Sequence, residues 1–393
     1  MRFRFLALVS TVALLVTSTV NASAALKMER IPSVFAELTS AKSLANPSMV
    51  LMNLNTGETV YSRDSKSLRK PASTLKLMSA FAALEFLPAD RKFTTEIYKT
   101  DIENTFQIVS DFDPSITPSH KLYKNLKFVW SENLVNQIRS EAKSKSLKIR
   151  YYGLTYRTKT NMDQSFRRAG YRITWKNLAA PDSLSHATEQ IYRASSPELA
   201  KILNYALLFS DNWVADYVAK SAAAAAGYGY SPTGISMVFS DVLTRYNIEF
   251  SNLHAVDGSG LSHENRMTTE TLVKVLSVMQ SNTKFASAIE GLPVSGISGT
   301  LQNRYIKSAP QAVGLIQAKT GSLNGVVSLA GFIDSGENRF VFAVIADRIG
   351  IGYYSENSAR AAIDKLLSKL AEPLKLPDLA ASTPSPTPEA PSA

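Results

Sequence analysis

Ser73 and Lys76 are the first pair of residues in this 393-residue chain whose types and spacing could do chemistry. On a helix, positions three apart lie on one face, so the hydroxyl and the amine can come within hydrogen-bonding distance. A serine hydroxyl needs a neighbouring base to act as a nucleophile, and a lysine can be that base if burial or a second cation lowers its pKa. The same spacing recurs elsewhere, at Ser67–Lys70, Ser140–Lys143 and Ser281–Lys284. Position at the first turn of a strongly apolar helix favours Ser73 as a nucleophile.

Two later segments could bind and orient a substrate. Ser210-Asp211-Asn212 offers a hydroxyl that can relay a proton and an amide that can hold a carbonyl group. In Lys319-Thr320-Gly321, the lysine and threonine could fix a carboxylate, and Gly321 would let a peptide backbone approach closely. Each tripeptide alone is also typical of an ordinary cap, turn or strand exit. Together and in this order, the three segments form the signature set of penicillin-binding proteins and serine β-lactamases.

The sequence around these segments resembles the D-alanyl-D-alanine carboxypeptidase/endopeptidase class of low-molecular-mass penicillin-binding proteins. The stretches that carry the resemblance are Lys70-Pro71-Ala72-Ser73, Asp257-Gly258-Ser259-Gly260-Leu261-Ser262 with Asn265-Arg266, Leu292-Pro293-Val294, Gly299-Thr300-Leu301 and Ala318-Lys319-Thr320-Gly321-Ser322-Leu323. It covers most of residues 30–370. The implied substrates are peptidoglycan stem peptides ending in D-Ala-D-Ala, and the implied inhibitors are β-lactams.

The resemblance also implies a role for each site residue. Ser73 would be acylated, Lys76 would act as its base, and Ser210 would pass the proton toward the leaving group. The substrate-binding residues would be Asn212 for the peptide carbonyl, Lys319 and Thr320 for the terminal carboxylate, and Ser322, whose backbone N–H would form the oxyanion hole with that of Ser73. An oxyanion-hole donor contributes ~3–4 kcal/mol. Water would then hydrolyse the acyl-enzyme.

The chain departs from the family pattern in three places. The interval between Ser73 and Ser210 is shorter than is usual in the family. A glycine-rich turn of the family's insert corresponds to Ser110-Asp111-Phe112-Asp113-Pro114, which has no glycine, and Asp216 stands where the family often has Glu. The first two departures concern the insert, and none of them touches the acylation residues.

Two competing functions stay open on the same scaffold. A β-lactamase would have to deacylate quickly, and the Glu-x-x-Leu-Asn motif of the class A type is missing. A catalytically silent cell-wall-binding protein is the other alternative, and the balance between carboxypeptidase and endopeptidase action is also open. The four histidines show no metal-ligand spacing, no glycine-rich phosphate loop occurs, and there is no cysteine. We therefore expect no metal and no cofactor.

Hydrophobic periodicity predicts an α/β protein. Two strands, Ser48–Asn53 and Glu58–Ser62, flank an Asn55-Thr56-Gly57 turn, and strands also fit Val326–Ile333 and Arg339–Ala346. The helical patterns lie at Ala72–Leu87, Ser196–Ala226 and Glu356–Leu370. This order, with the resemblance, predicts a β-lactamase/transpeptidase-like sandwich of an antiparallel sheet between helices, interrupted by a small β-rich inserted domain. The expected domains are residues 25–96 with 183–372 for catalysis and 97–182 for the insert.

Both ends of the chain read as segments outside these domains. Residues 1–24 combine a basic start, an apolar run from Phe5 to Val16 and a small-residue cleavage site at Ala22-Ser23-Ala24. That order predicts a signal peptide and an extracytoplasmic location, in the periplasm or cell wall, with an uncleaved membrane anchor as the alternative. Residues 373–393 are rich in Pro, Ser and Thr and predict a disordered tail.

The net charge of +10 is concentrated in one segment. Residues 121–176 contain 14 Lys or Arg and three acidic residues, a net charge of +11. Aromatic residues lie between the basic ones, as in some nucleic-acid binders, but export disfavours that partner. The segment is either an ordinary solvated face or a surface that attracts anionic wall polymers or a membrane surface.

Overall fold

The computed structural model describes residues 26–373, in which ten strands form two five-stranded sheets. The strands are β1 (Ser48–Asn53), β2 (Thr59–Arg63), β3 (Thr94–Thr100), β4 (Thr105–Ser110), β5 (Ser146–Tyr152), β6 (Arg172–Asn177), β7 (Ala187–Ser195), β8 (Ile316–Leu323), β9 (Val326–Ser335) and β10 (Asn338–Ala346). The first sheet has the order β2-β1-β10-β9-β8, and every neighbouring pair in it is antiparallel. Strands from the two ends of the chain therefore share one sheet, which confirms the expected fold class.

Eleven α-helices lie in the same described range. They are α1 (Ile31–Thr39), α2 (Lys76–Phe86), α3 (His120–Leu126), α4 (Ser131–Glu141), α5 (Tyr156–Arg168), α6 (Leu199–Leu208), α7 (Asn212–Ala225), α8 (Pro232–Arg245), α9 (Thr269–Ser281), α10 (Ala286–Glu290) and α11 (Tyr353–Leu367). None of the helices within residues 26–373 is both long enough and apolar enough to cross a bilayer.

The first sheet is sandwiched between two hydrophobic cores. On β10, Val341, Ala343 and Ile345 pack into a core shared with α2 and α6 to α9. The residues that alternate with them, including Phe342 and Val344, pack into a second core with α1 and α11. Successive strand residues point to opposite faces, so a strand covered on both sides needs a continuous apolar run. That requirement explains why β10 is apolar from Phe340 to Ala346 and why Ser328 is the one polar residue of β9 between Val326 and Ile333.

Helix α2 runs through the centre of the first core and carries the candidate nucleophile at its start. Its residues from Lys76 to Leu84 are all buried, as expected for a helix surrounded by other helices and a sheet. The sequence predicts one helix over 72–87, but its first turn, Ala72–Leu75, is a 3₁₀-helix. The backbone N–H and the hydroxyl of Thr74 both bond to the carbonyl of Pro71, which is the three-residue spacing of a 3₁₀ turn.

The inserted unit contains the second sheet, in the order β6-β5-β4-β3-β7. The pairs β4–β5 and β5–β6 are parallel, so each needs a crossover connection; α3 and α4 lie in the first and α5 in the second. Short alternating apolar runs in the sequence, Leu147-Ile149-Tyr151 and Tyr171-Ile173-Trp175, lie on or next to β5 and β6. Alternation did not predict the three helices, because they are short and mostly polar outside their buried faces.

Several other predicted elements are present with shifted bounds. The predicted Asn55-Thr56-Gly57 turn lies between β1 and β2, and the strands predicted at Val326–Ile333 and Arg339–Ala346 are the antiparallel pair β9 and β10. The last helix begins at Tyr353 and ends at Leu367. The predicted helical region 196–226 is divided into α6 and α7. The predicted signal peptide lies outside the described residues, as does the predicted tail from residue 374 onward.

Candidate active site

Ser73 lies in the tight turn that precedes α2 and is half-buried. The residue before it, Ala72, has φ of 49°, in the left-handed region that side chains other than glycine rarely adopt. The turn is held from the neighbouring sheet, because the Ser328 hydroxyl donates to the Pro71 carbonyl at 2.7 Å. A glycine faces the turn: a Cβ on Gly260 would lie 1.8 Å from the Ala72 carbonyl oxygen. Strained and closely packed backbone of this kind is frequent at functional sites.

Lys76 is the buried partner of Ser73. Its Nζ lies 2.8 Å from Ser73 Oγ, 2.7 Å from Asn212 Oδ1 and 2.7 Å from the carbonyl oxygen of Ser259. A neutral amine has two N–H donors and one lone pair. The two donors match the amide and carbonyl oxygens, so the lone pair is left for the Ser73 hydroxyl proton. The arrangement is that of a base hydrogen-bonded to its nucleophile.

Burial gives Lys76 a pKa suited to that task. Loss of solvent lowers the pKa of its amine to about 7, against the opposing charges of Asp257 and Asp211. Burial and a nearby second cation are the two causes that can lower the pKa of a lysine. Burial is the dominant cause at Lys76.

Asn212 and Ser210 are positioned by a break between two helices. The Asp211 carboxylate accepts a hydrogen bond from the Val214 N–H at 3.0 Å and caps α7, so Asn212 is the first residue of that helix. Ser210 has φ of 58° and interrupts the helical pattern that the sequence predicts there. This left-handed residue separates α6 from α7, and its hydroxyl accepts a hydrogen bond from Lys319 Nζ at 2.8 Å.

Lys319 joins the third segment to the other two. It is fully buried on β8, and its Nζ also donates to the carbonyl oxygen of Thr320 at 2.8 Å. Burial, and then the charge of Lys76, hold the pKa of Lys319 well below its usual value. Two buried amines that affect each other in this way do not both carry a proton readily. The structure therefore brings Ser73, Lys76, Ser210, Asn212 and Lys319 into one site, as the sequence analysis expected.

β8 is an edge strand, and this gives the site its open side. Val294 pairs with Gln317 on the outer side of β8 as an isolated bridge, and the Ala318 N–H donates to the Pro293 carbonyl at 2.9 Å. No further β-pairing lies on that side of residues 319–323 in the part of the chain that the structure describes. The Thr320 hydroxyl donates to Thr300 Oγ1 at 2.8 Å. An unpaired edge can accept an extended peptide as an additional strand. The oxyanion-hole role of the backbone N–H groups of Ser73 and Ser322 stays a prediction.

Two details of β8 differ from what the sequence suggests. A Cβ on Gly321 would lie 2.1 Å from Ser328 Oγ and 3.0 Å from the Pro71 carbonyl oxygen. Gly321 therefore closely approaches Ser328 and the turn that precedes Ser73. This packing within the protein is enough to explain the glycine, without a close contact to substrate. The Ser322 side chain is exposed and accepts a hydrogen bond from Arg360 Nη2 at 2.7 Å.

A loop around Asp257 supports Lys76, and sequence reasoning gave it no role. The Asp257 carboxylate accepts six hydrogen bonds from residues 259–262 and Asn265. Burial alone would raise the pKa of this carboxyl, but the bonds from Ser262, Ser259 and Asn265 outweigh it and lower the pKa. The loop presents the Ser259 carbonyl to Lys76. The Asp, Ser and Gly residues of this stretch were the available signal, since such residues build hydrogen-bonded turns.

The family follows from a comparison with known sequences. A profile of the D-Ala-D-Ala carboxypeptidase 3 (S13) family matches residues 34–143 and 133–370, most of the chain. The chain belongs to the S13 family. The class of penicillin-binding proteins that the sequence resembles is thereby confirmed.

Curated S13-like relatives are similar over part of their length. The chain is 35% identical over 185 residues to carboxypeptidase DacB of Mycolicibacterium smegmatis, a match that covers 46% of this chain and 39% of that protein. It is 33% identical over 141 residues to D-alanyl-D-alanine carboxypeptidase DacB of Haemophilus influenzae, covering 35% and 29%. The matched segments thus span less than two fifths of these relatives.

Solved structures show the same fold. Penicillin-binding protein 4 of Haemophilus influenzae superposes with a TM-score of 0.68 at 17% identity, over 86% of this chain and 99% of that one. A predatory endopeptidase of Bdellovibrio bacteriovorus, solved with an immunity protein, gives a TM-score of 0.58 at 17% identity, over 84% and 94%.

The structure also locates the departures of this S13 chain from the family pattern. Asp216 accepts a hydrogen bond from the Gly258 N–H at 3.0 Å and pairs with Lys220 at 2.7 Å, so it anchors the Asp257 loop to α7. In the segment without glycines, Phe112 has φ of 61° and stacks on Tyr230 at 4.0 Å. Asp113 beside it is buried, which raises the pKa of its carboxyl to about 7. This segment packs the insert against the domain that contains Ser73.

Proposed function

We propose that the protein is a serine-type D-Ala-D-Ala carboxypeptidase or endopeptidase that acts on peptidoglycan peptides through an acyl-enzyme at Ser73. One observation carries the proposal. A buried amine with a pKa of about 7, Lys76 Nζ, lies 2.8 Å from the hydroxyl of Ser73, and none of its hydrogen-bond partners within residues 26–373 is a carboxylate. At neutral pH a large fraction of that amine is unprotonated and can accept the serine proton.

Acylation then proceeds by steps that these side chains can support. Lys76 takes the Ser73 proton as Oγ attacks the carbonyl carbon of the scissile peptide bond, and the C–N bond breaks to release the C-terminal D-alanine. We place Ser210 as the relay that passes this proton from Lys76 to the leaving nitrogen, giving up its own hydroxyl proton and receiving the one from Lys76; Lys319, which bonds to its hydroxyl, holds it in place. Water completes the cycle by hydrolysing the ester at Ser73.

Recognition of a terminal carboxylate fits the charge balance of the site. Lys319 is buried with its pKa well below the usual value, so in the free enzyme its proton is weakly held. A bound carboxylate would favour the charged form of this amine. With Thr320 next to it on the unpaired part of the edge strand β8, Lys319 can hold the end of a peptide that extends along residues 319–323.

Penicillin sensitivity and location belong to the same proposal. The S13 family assignment and the names of the relatives, which include a penicillin-sensitive carboxypeptidase of Dictyostelium discoideum, support β-lactams as acylating inhibitors. We place the enzyme outside the cytoplasmic membrane, in the periplasm or cell wall, because its proposed substrates lie there. The export signal predicted at residues 1–24 supports that location.

Mass spectrometry of the intact protein after benzylpenicillin tests the proposal directly. One penicilloyl group is expected, on the peptide that contains Ser73, and Ser73→Ala should abolish it. Ser67→Ala is the matched control, since Ser67 and Lys70 have the same spacing. Equal labelling of Ser73→Ala and the unmodified protein would refute the assignment.

Turnover assays separate the remaining alternatives. Release of D-alanine from a pentapeptide measures carboxypeptidase action, and cleavage of a cross-linked dimer measures endopeptidase action. Rapid nitrocefin turnover would identify a β-lactamase. Cosedimentation with cell wall, without labelling or cleavage, would identify a silent binding protein; the intact hydrogen bond between Lys76 and Ser73 argues for catalysis.

A further inference from the structure

The second sheet has one covered face and one largely polar face. Leu147 and Ile149 of β5 pack with α4 and α5 in the core of the insert, as do Ile173 and Trp175 of β6. The residues between them point to the opposite face, because side chains alternate along a strand. On that face β5 and β6 present basic side chains and no acidic ones.

We name the basic face by its four cations, Lys148, Arg150, Arg172 and Lys176. The parallel register sets Arg150 opposite Lys176 and Lys148 opposite Thr174. Neighbouring strands are about 4.8 Å apart and alternate residues about 6.6 Å apart, so these cations form a closely spaced array. Like charges side by side on a sheet are destabilising. No carboxylate forms an ion pair with any of the four within residues 26–373.

Arg150 is the unusual member of the basic face. It is only 8% exposed, its Nη2 donates to Ser185 Oγ at 2.7 Å, and its Nε is buried with no hydrogen-bond partner among the residues that the structure describes. A buried guanidinium that lacks a counter-ion is costly unless an anion reaches it. The other three cations of the basic face are exposed, so an anion can be guided toward Arg150 from solvent.

We propose that the basic face binds an extended polyanion, such as an anionic wall polymer, and that Arg150 contacts one of its phosphate or carboxylate groups. Cations at regular strand spacing match charges repeated along a chain. A membrane surface fits less well for two reasons. Arg150 is recessed, and a membrane-binding face usually exposes several large apolar side chains. Leu184 is the one such side chain exposed near the basic face among the residues that the structure describes. The inference is independent of the proposed peptidase activity.

A salt titration with two labelled probes tests the binding. Long-chain polyphosphate and polygalacturonate separate phosphate from carboxylate recognition, and both are measured by fluorescence anisotropy with the full chain. The triple variant Lys148→Gln, Arg172→Gln, Lys176→Gln should weaken binding to at least one probe by tenfold or more. The slope of log affinity against log salt should fall by about two to three, since each released counterion contributes about 0.7–0.9 on nucleic acids.

A second triple variant with the same change in charge is the matched control. Lys121, Lys124 and Lys143 are exposed and lie on other elements of the insert, so changing each to Gln should leave affinity within about threefold of the unmodified protein. Equal losses for both triples would show that net charge alone attracts the polymer and would overturn the proposal. Binding of phosphatidylglycerol vesicles in preference to both polymers would overturn it in favour of a membrane surface.

Arg150→Gln separates a binding role from a structural one. If Arg150 awaits an anion, the variant should melt no lower than the unmodified protein in buffer and should lose most of the rise in melting temperature that polymer produces. A lower melting temperature with unchanged polymer affinity would show that Arg150 only links β5 to Ser185. Penicilloyl labelling of Ser73 should be unaffected in all three variants.

Discussion

The buried amine of Lys76 sets a pH dependence that can be measured through acylation. With a pKa of about 7, the unprotonated fraction of Lys76 is about 9% at pH 6 and about 91% at pH 8. Acylation requires that form, so its rate should rise about tenfold across this interval and then level off. A lysine with the usual pKa of about 10.5 would give a rise of about a hundredfold over the same interval, continuing to pH 10.

Stopped-flow measurement with a fluorescent penicillin below saturation reports the pKa of the free enzyme. Asp211→Asn is an informative companion, since asparagine also caps a helix well. It removes a negative charge that raises the pKa of Lys76, so the midpoint should move to lower pH. A rate that keeps increasing above pH 9, or a midpoint that moves upward in Asp211→Asn, would refute this account of Lys76.

Three further outcomes follow from contacts around the site. Gly260→Ala should lower the free energy of unfolding in urea by roughly 2–5 kcal/mol, because its Cβ would meet the Ala72 carbonyl. Gly57→Ala is the control: its φ is similar but its surroundings are open, so the free energy of unfolding should fall by only about 1–2 kcal/mol. Lys76→Met should lower acylation ~10²–10⁴-fold without lowering the melting temperature, because burying the amine is itself unfavourable; a clear fall in melting temperature would contradict this. Asp257→Asn should destabilise by about 1–3 kcal/mol at neutral pH. Because the pKa of Asp257 is lowered in the folded protein, the difference in unfolding free energy between the variant and the unmodified protein should narrow as pH falls below about 4. A difference that does not change with pH would contradict the stabilising role of the Asp257 carboxylate.

The strands of the first sheet and the acylation residues are predictable because each depends on local pattern. The nearly continuous apolar runs of β9 and β10 require burial on both faces, and the Ser73–Lys76 spacing depends only on helical geometry. The convergence of Ser73, Ser210 and Lys319 is not local. The order of the three motifs along the chain predicted that these residues share one site. The distances between their side chains are known only from the structure.

Other features required long-range information. The six bonds to Asp257 and the role of the Ser259 carbonyl involve residues far in sequence from Lys76. The break at Ser210 is a single left-handed residue inside an otherwise helical pattern, which periodicity cannot detect. The helices of the insert have small apolar faces, as α5 shows with Met162 and Phe166 as its large buried residues, so their signal is weak.

β3 and β7 are the first and last strands of the second sheet in chain order. They are antiparallel neighbours in the sheet, with Thr94 opposite Ser195. The chain therefore leaves the domain that carries Ser73 and returns to it at two neighbouring points, where β3 begins and β7 ends. The length of the insert between these two points can therefore change during evolution, because the distance between its two ends is fixed by the pairing of β3 with β7. The separation of Ser73 and Ser210 along the chain can thus vary freely without altering their separation in space.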